Sequence, residues 1–293
     1  MKPLLLFILL FCTFSASPSF GQKGRKKAKN AFAKGTLFGY WGYNRSAYTK
    51  SDINFISNNY DFTLKGASAS DNPEKFDPSI YFNLNKITIP QFNARIGYYF
   101  KNHWAISLGY DHMKYLLNDN NEVLLDGTIA PGIDANWSGT YSNFPVVTNR
   151  KQFHYENSDG LNYMRLELTR TDQWYETRKK NGWFALSSNV GVSSGFLLSF
   201  NDFRFGGEHT VRTVSISGYG LSAHFNARFE FFNHIFFQSG FATGFNHQTK
   251  VKNRPNDNSA ITKQRYGYAS WESVVGFLLY IRPTNGCGTC PKW

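Results

Sequence analysis

Period-two alternation is the feature that most constrains this chain. From Gln91 to Phe100, and again from Trp104 to Asp111, large apolar or aromatic residues alternate with residues that are mostly small or polar. Successive side chains of a strand point to opposite faces, so this alternation predicts β-strands with one apolar face. After the amino-terminal leader there is no run of 18 or more apolar residues, so the sequence does not predict a membrane-spanning helix.

The amino terminus has the pattern of a secretory signal. Lys2 precedes an apolar run over residues 4–14, and Ser19 and Gly21 are small residues suited to a cleavage site. We therefore predict that residues 1–21 are a signal peptide and that the rest of the chain is exported. Cys12 would be removed with this signal.

Positive charge is concentrated directly after the leader. The chain has a net charge of +12, and the segment KGRKKAKNAFAK, residues 23–34, contains six Lys or Arg and no acid. We predict that residues 22–35 are a basic periplasmic tail, which is either simply solvated or in contact with anionic lipid head groups or an acidic envelope component. Because half of the net charge lies in this tail, the rest of the chain lacks a broad basic surface, and no nucleic-acid partner is expected.

The connections between the predicted strands are of two kinds. Three are short and flanked by aromatic residues: FKNHWAI at 100–106, RKKNGWFAL at 178–186 and FFNHIFF at 231–237. Aromatic rings of this kind are typical of a membrane interface. The hairpin at 231–237 is expected to turn Phe229, Phe231, Ile235 and Phe237 toward lipid. The other connections, roughly 46–86, 118–160, 201–210 and 250–263, are long and polar.

If the short turns lie on one side of a membrane, eight strands result. They are expected at about 36–46, 87–100, 103–117, 161–175, 183–200, 211–231, 235–249 and 264–282. Closure of an even number of strands leaves no exposed edge in lipid. The segment YDFTLKGAS from Tyr60 also has strand character, and we place it in the first outer loop, paired with Ser79 to Leu84. A ten-stranded barrel is the alternative.

These features together resemble the small outer-membrane β-barrel proteins of Gram-negative bacteria. The resemblance implies an all-β, transmembrane, antiparallel up-and-down barrel over residues 36–282, integral in the outer membrane. It also implies contact with outer-membrane lipids and lipopolysaccharide. Because loops on a rigid scaffold carry recognition, we expect a structural or surface-binding role in which the long extracellular loops at 46–86 and 118–160 contact lipopolysaccharide, surface glycans or an envelope protein. The segment RPTNGCGTCPKW departs from the pattern, because such barrels often end on a strand with a terminal aromatic residue; we treat residues 283–293 as a separate tail.

Polar residues opposite the apolar faces are expected to fill the lumen. The predicted cluster consists of Arg95, Asp111, Arg165, Glu167, Ser222, His224, Arg228, Glu230 and Glu272. An eight-stranded barrel is just wide enough for its own side chains, so charges of both signs predict an ion-paired plug. A narrow path for ions or small solutes is the alternative.

Enzymatic chemistry has weaker support. Some small outer-membrane barrels modify the acyl chains of lipid A or phospholipids, which calls for a Ser nucleophile, a His base and an acid. Ser222 and His224 share a strand face, but Glu230 lies six residues farther on, about 20 Å away along a strand. Asp111 and His112 are adjacent and point to opposite faces. No catalytic residue is therefore predicted, and a lipid-modifying enzyme stays as an alternative.

Metal and cofactor signals are few. NDNNEVLLDG, residues 118–127, is rich in oxygen ligands, but Val123 and Leu124 occupy positions at which a calcium loop needs a ligand and a glycine. No metal and no cofactor is expected. Cys287 and Cys290 form a C-x-x-C pair, for which a disulfide is the first expectation in an exported chain.

Overall fold

A computed structural model describes residues 32–75, 77–81, 83, 85–86, 89–177 and 183–281. The predicted signal peptide, most of the basic tail and the pair Cys287 and Cys290 lie outside the described residues. Among these described residues there is no helix with the length and hydrophobicity of a membrane span.

The described residues form fifteen strands and one short helix. In chain order they are β1 (Thr36–Tyr48), β2 (Ser51–Ile56), β3 (Tyr60–Ala67), β4 (Ala69–Ser70), α1 (Pro78–Tyr81), β5 (Phe92–Lys101), β6 (Trp104–Met113), β7 (Leu116–Leu117), β8 (Glu122–Ile129), β9 (Gly139–Val147), β10 (His154–Glu156), β11 (Leu161–Glu176), β12 (Phe184–Phe205), β13 (Glu208–Phe231), β14 (Ile235–Lys252) and β15 (Ile261–Tyr280). Every strand pair is antiparallel.

Eight of these strands close into a barrel. The ring runs β1, β5, β6, β11, β12, β13, β14 and β15, and β15 pairs with β1 from Thr36–Tyr280 to Tyr48–Tyr268. The predicted eight-stranded antiparallel barrel is confirmed, and the ten-stranded alternative is wrong. We call the end with the connections at 101–104, 176–184 and 231–235 the turn end, and the opposite end the loop end.

The register of the ring sets its width. Following paired residues once around the ring from Phe38 leads back to β1 at Tyr48, from position 38 to position 48. With strands about 4.8 Å apart and about 3.3 Å per residue, this stagger corresponds to a strand tilt of about 40°. Such a barrel has room for its own side chains and little else.

Alternation along the strands sorts residues between lumen and exterior. On β14, Ile235, Phe237, Phe241 and Phe245 are exposed, while the intervening Phe236 is fully buried. Over the ten residues from Ile235 to Phe245, a tilted strand rises about 25 Å, which is the height of the apolar band on transmembrane barrels. The chain therefore forms a membrane-spanning barrel with an apolar exterior.

The hairpin at 231–237 has the predicted geometry. Phe231 and Ile235 are paired partners at its base, and Phe232 and Asn233 adopt φ angles of 54° and 61° in the turn. The rings of Phe229 and Phe237 stack on the barrel exterior, with their centroids 6.2 Å apart. Residues 229–238 contain five phenylalanines. Of these, only Phe236 points into the lumen, so the hairpin supplies aromatic rings to the lumen as well as to the exterior.

The outer loops differ from the sequence expectation, because they are folded. Strand β2 pairs with the outer end of β15, and β3, β8 and β9 follow in order; β10 pairs with the outer end of β12 and is followed by β7 and β4. We call these seven strands, with the outer ends of β12 to β15, the dome. The dome extends the barrel wall beyond the membrane.

Two loop predictions are wrong. The segment from Tyr60 does not pair with Ser79 to Leu84, because β3 lies between β2 and β8 and residues 78–81 form α1. The connection at 201–210 is not a long polar loop. Strands β12 and β13 continue to a two-residue turn at Gly206 and Gly207, whose φ angles of 61° and 73° suit glycine in a tight hairpin.

Candidate functional site

The centre of the lumen holds a layer of charged side chains. Arg95 contacts Asp111 with Nη2 to Oδ2 at 3.0 Å, and its Nε lies 3.2 Å from Glu167 Oε2. Arg165 contacts the same two carboxylates, with Nε 3.1 Å from Asp111 Oδ2 and Nη2 3.4 Å from Glu167 Oε2. Two guanidiniums thus bridge two carboxylates in a closed arrangement.

Two more groups complete this layer. Glu272 Oε1 accepts a hydrogen bond from Asn93 Nδ2 at 2.8 Å and lies 3.8 Å from Arg165 Nη2. His224 Nε2 lies 3.2 Å from the other oxygen of Glu167. We call Arg95, Asp111, Arg165, Glu167, His224 and Glu272 the charged layer. Each is at most 5% exposed. Buried charges of this density are tolerated because each has partners of opposite sign.

A second lumen layer lies nearer the turn end. The Arg228 guanidinium carbon sits 4.2 Å from the ring centroid of Phe236, and Arg228 Nη1 donates to Tyr99 Oη at 3.1 Å. Glu230 accepts a hydrogen bond from Ser187 Oγ at 3.2 Å. Phe38, Tyr40 and other buried apolar residues pack around this layer. Side chains therefore fill the lumen from the centre to the turn end.

The nine residues of the predicted lumen cluster are all buried, but the structure divides them. Six of them form the charged layer, and Ser222 borders it through a 2.8 Å contact with Arg165 Nη1. Arg228 and Glu230 belong to the second layer, nearer the turn end. Asn93, which anchors Glu272, was missing from the prediction, although its inward position follows from the same alternation as that of Arg95.

The geometry does not assemble a nucleophile and base. The Ser222 hydroxyl contacts Arg165 and, at 2.6 Å, Ser193 Oγ. His224 faces Glu167 and, at 3.4 Å, Thr169 Oγ1. Asp111 points into the charged layer, whereas His112 Nδ1 contacts Asn162 Oδ1 at 2.8 Å. These contacts orient the groups for structural ion pairing and do not point Ser222 at an imidazole.

Tyrosines and amides close the loop end of the lumen. Tyr115, Tyr163, Tyr266 and Tyr268 are at most 4% exposed and join the core of the dome. Beyond them lies a layer of buried amide and hydroxyl groups linked by hydrogen bonds, which includes Asn157, Ser199, Asn201, Gln248 and Asn253. Neutral amides can satisfy one another without charge, so this layer seals the mouth at little electrostatic cost.

The dome has an aromatic core of its own. Phe55 of β2 is fully buried and contacts Phe62, Phe153 and Phe203, with ring centroids 5.3, 5.0 and 5.5 Å apart. Trp137 stacks on Phe153 at 5.2 Å. These rings come from β2, β3 and β12 and from the segments directly before β9 and β10. A core of this kind holds the outer surface in one conformation.

An ion pair ties one side of the dome together. His154 Nε2 lies 2.8 Å from Glu156 Oε2, and Arg150 Nη2 lies 3.1 Å from the same oxygen. Burial acts to raise the pKa of Glu156, but the hydrogen bonds from His154 and Ser158 and the charges of His154 and Arg150 together hold it below its ordinary value. Glu156 is therefore stabilised in its ionised form.

Of the oxygen-bearing side chains in residues 118–127, considered above for calcium, Asn118 to Asn121 precede β8, and Glu122 and Asp126 lie on it. Four residues along a strand separate Glu122 from Asp126 by about 13 Å, so β8 does not gather them around one point. Among the residues that the structure describes, no three His, Cys, Asp or Glu side chains are placed to hold a metal ion.

Comparisons with known proteins concern the fold. No protein-family model matches the chain, and no curated protein matches it. Its fold is similar to that of the outer membrane protein OprG from Pseudomonas aeruginosa, with 11% identity, 87% of this chain and 100% of that chain covered, and a TM-score of 0.37.

Two further solved structures are similar. The attachment invasion locus protein Ail of Yersinia pestis is 10% identical, with 84% of this chain and 99% of that chain covered and a TM-score of 0.31. The outer membrane protease OmpT from Escherichia coli is 8% identical, with coverages of 83% and 96% and a TM-score of 0.27. The closed ring of eight antiparallel strands in this chain is the architecture that the resemblance to small outer-membrane β-barrel proteins implies.

Proposed function

We propose that this protein is an outer-membrane β-barrel with a structural or surface-binding role, exerted through the dome. The loop end faces the cell exterior, and the dome presents a rigid surface to a surface ligand or an envelope protein. The observation that carries this proposal is the aromatic core around Phe55, because it fixes the outer strands on a plugged barrel. Loops on a rigid scaffold are the usual carriers of recognition.

The filled lumen supports this role over that of a channel. A solute crossing the barrel would have to separate the ion pairs of the charged layer, the aromatic layer around Arg228 and the amides at the mouth. Separating a buried ion pair costs several kcal/mol per ion. The contacts of Ser222 and His224 likewise give no support to acyl transfer. Both groups are held within the structural network of the barrel interior.

The outer face of the β8–β9 hairpin is the first surface to test. Leu124 and Val147 are 42% and 56% exposed on this face, and Phe144, whose paired partner is the buried Leu125, is 53% exposed at the free edge formed by β9. Exposed apolar side chains grouped on a folded surface are typical of a contact site. Replacing the three by Ser leaves the core residues Val123 and Leu125 in place, so the dome itself should fold.

The experiment compares wild type with this triple variant in cells that lack the endogenous gene. Outer-membrane integrity is read from uptake of the fluorescent probe N-phenylnaphthylamine, and binding from purified lipopolysaccharide added to protein in nanodiscs. We expect the variant to lose integrity or binding while it keeps a heat-modifiable band on gels. A variant equal to wild type in both measurements would contradict a role for this surface. Phe225→Ser on the barrel exterior serves as a control for added polarity.

A further inference from the structure

Four connections at the loop end enclose a cleft in the dome. It has a volume of about 450 Å³ and is lined by residues within 57–60, 132–133, 205–208 and 254–260. These ranges belong to the β2–β3 turn, the segment after β8, the β12–β13 turn and the connection from β14 to β15. The volume is within the range of small-molecule sites, about 300–1,000 Å³. We call this space the tip cleft.

Hydrogen bonds between the connections hold the tip cleft in one shape. Asn59 O accepts a hydrogen bond from Ala130 N at 2.9 Å, which joins the β2–β3 turn to the segment after β8. Asn58 N donates to Ser259 Oγ at 3.2 Å and joins the same turn to the connection from β14 to β15. A cleft that is formed before its ligand arrives loses little conformational entropy on binding.

Arg254 forms the floor of the tip cleft and is 8% exposed. Its Nη1 donates to Phe203 O at 3.2 Å and Thr210 Oγ1 at 2.8 Å, and its Nη2 donates to Phe205 O at 2.9 Å and Glu208 O at 3.2 Å. The Nε atom lies 3.4 Å from Glu208 Oε2. Because each terminal nitrogen has two N–H groups, these bonds leave neither nitrogen with a donor for a bound anion. Arg254 instead fixes the β12–β13 hairpin against the connection from β14 to β15.

The polar lining of the tip cleft favours an uncharged ligand. The carboxylates of Glu208 and Asp257 outnumber the guanidinium of Arg254, so the lining repels an anion. Asn59 and Asn256 are exposed in the same lining. An amide offers both donors and acceptors, as hydroxyl groups do, whereas an ammonium ion only donates. A ligand with many hydroxyl groups therefore matches this lining better than an ion of either sign.

Tyr60 adds an aromatic surface to the tip cleft. Its side chain is partly buried, and its ring lies 5.4 Å from that of Phe205 and 5.6 Å from that of Phe62, measured between centroids. These two contacts fix the position of the ring. A sugar ring has an apolar C–H face and hydroxyl groups around its edge, so an aromatic ring beside amides and carboxylates suits a saccharide.

We propose that the tip cleft binds an uncharged mono- or disaccharide unit, with Tyr60 against the C–H face of one sugar ring and Asn59 and Asn256 bonded to its hydroxyl groups. This inference rests on the proposed surface-binding role and names its ligand class. It uses a site separate from the outer face of the β8–β9 hairpin, whose residues do not line the tip cleft. The same sugar chemistry occurs in lipopolysaccharide chains and in glycans of other cell surfaces.

The experiment measures binding of the protein in nanodiscs to an array of lipid-free oligosaccharides, both uncharged and acidic. Wild type should retain uncharged chains in preference to sialylated or sulfated ones. The variant N59A/N256A should bind the best uncharged chain about fivefold more weakly for each amide removed, or about 25-fold in total, as measured by calorimetry. Its matched control, N136A/N258A, removes two exposed asparagines of the dome outside the tip cleft and should bind as wild type does.

Lipopolysaccharide and its lipid-free sugar chain distinguish the two sources of the saccharide. Equal binding of both assigns the ligand to lipopolysaccharide, and binding of array chains alone assigns it to another cell surface; both results support the tip cleft. Binding of intact lipopolysaccharide without any lipid-free saccharide would overturn the proposal. Retention of acidic chains only, or of no chain, would overturn it too, as would equal affinity of wild type and N59A/N256A.

Two readouts separate failure of this site from other failures. A heat-modifiable band and unchanged hydrogen exchange in β2 and β3 establish that N59A/N256A is folded. If no saccharide binds while the β8–β9 surface variant still loses membrane integrity, the tip cleft is wrong and the proposed function stands.

Discussion

Truncation of Phe55 tests whether the dome is a folded unit. This ring is fully buried and contacts Phe62, Phe153 and Phe203. Removing a buried phenylalanine side chain costs about 3–5 kcal/mol, because the transfer energy is lost and a cavity remains. Since about 1.4 kcal/mol corresponds to a factor of ten, Phe55→Ala should raise the open fraction of the dome on the order of 1000-fold.

Hydrogen exchange with mass spectrometry measures this change in nanodiscs. Amides of β2, β3 and β8 should exchange faster by about that factor, while amides of the ring strands near the charged layer keep their protection. The control is Phe225→Ala, which removes a ring that is 57% exposed on the barrel exterior and should leave the dome unchanged. Unchanged exchange in β2 and β3 of the Phe55 variant would refute the reasoning, as would equal acceleration throughout the barrel.

Three further outcomes are expected. Glu167→Gln removes the carboxylate that Arg95, Arg165 and His224 share and should lower barrel stability by about 3–5 kcal/mol in urea unfolding, whereas Asp126→Asn, at a pair whose side chains are both 35% exposed, should leave the midpoint in place. Because the pKa of Glu156 is lowered in the folded dome, its ionisation stabilises the dome at pH values above the pKa of this group in the unfolded chain, and the stabilisation is lost as the pH falls through the folded pKa. Hydrogen exchange of β10 amides between pH 6 and pH 3 should show this loss, and Glu156→Gln should remove the pH dependence. Gly207 has φ 73° and open space around its Cβ position, so Gly207→Val should destabilise the hairpin by about 1–2 kcal/mol and Gly207→Asn by less; equal midpoints for the two variants would mean that the turn is not constrained.

The barrel could be predicted because each of its strands carries its own evidence. Alternation marks both faces of β5 and β6, and aromatic residues flank the short turns, so counting strands requires no knowledge of which strands pair. The lumen followed from the same alternation. Its division into two layers did not, because the height of Arg228 relative to Arg95 depends on the stagger accumulated around the ring.

The dome could not be predicted in the same way, although its strands alternate too. Ile53 and Phe55 on β2, and Val123 and Leu125 on β8, have the same period as the barrel strands. Their short length and polar surroundings made them look like loop segments. What distinguishes them is pairing between residues far apart in sequence, such as Leu64 with Leu125. Local patterns do not specify such partners.

Closure between β1 and β15 determines when the protein can be complete. The thirteen paired positions from Thr36 to Tyr48 join nearly opposite ends of the described chain, and β2 of the dome also pairs with β15. Contacts over such sequence distances form late, because the intervening chain must be ordered first. Until β15 arrives, β1 and β14 both present open edges and the dome lacks its support on β15. Insertion into the membrane, sealing of the lumen and ordering of the outer surface should therefore coincide as a single final step of assembly.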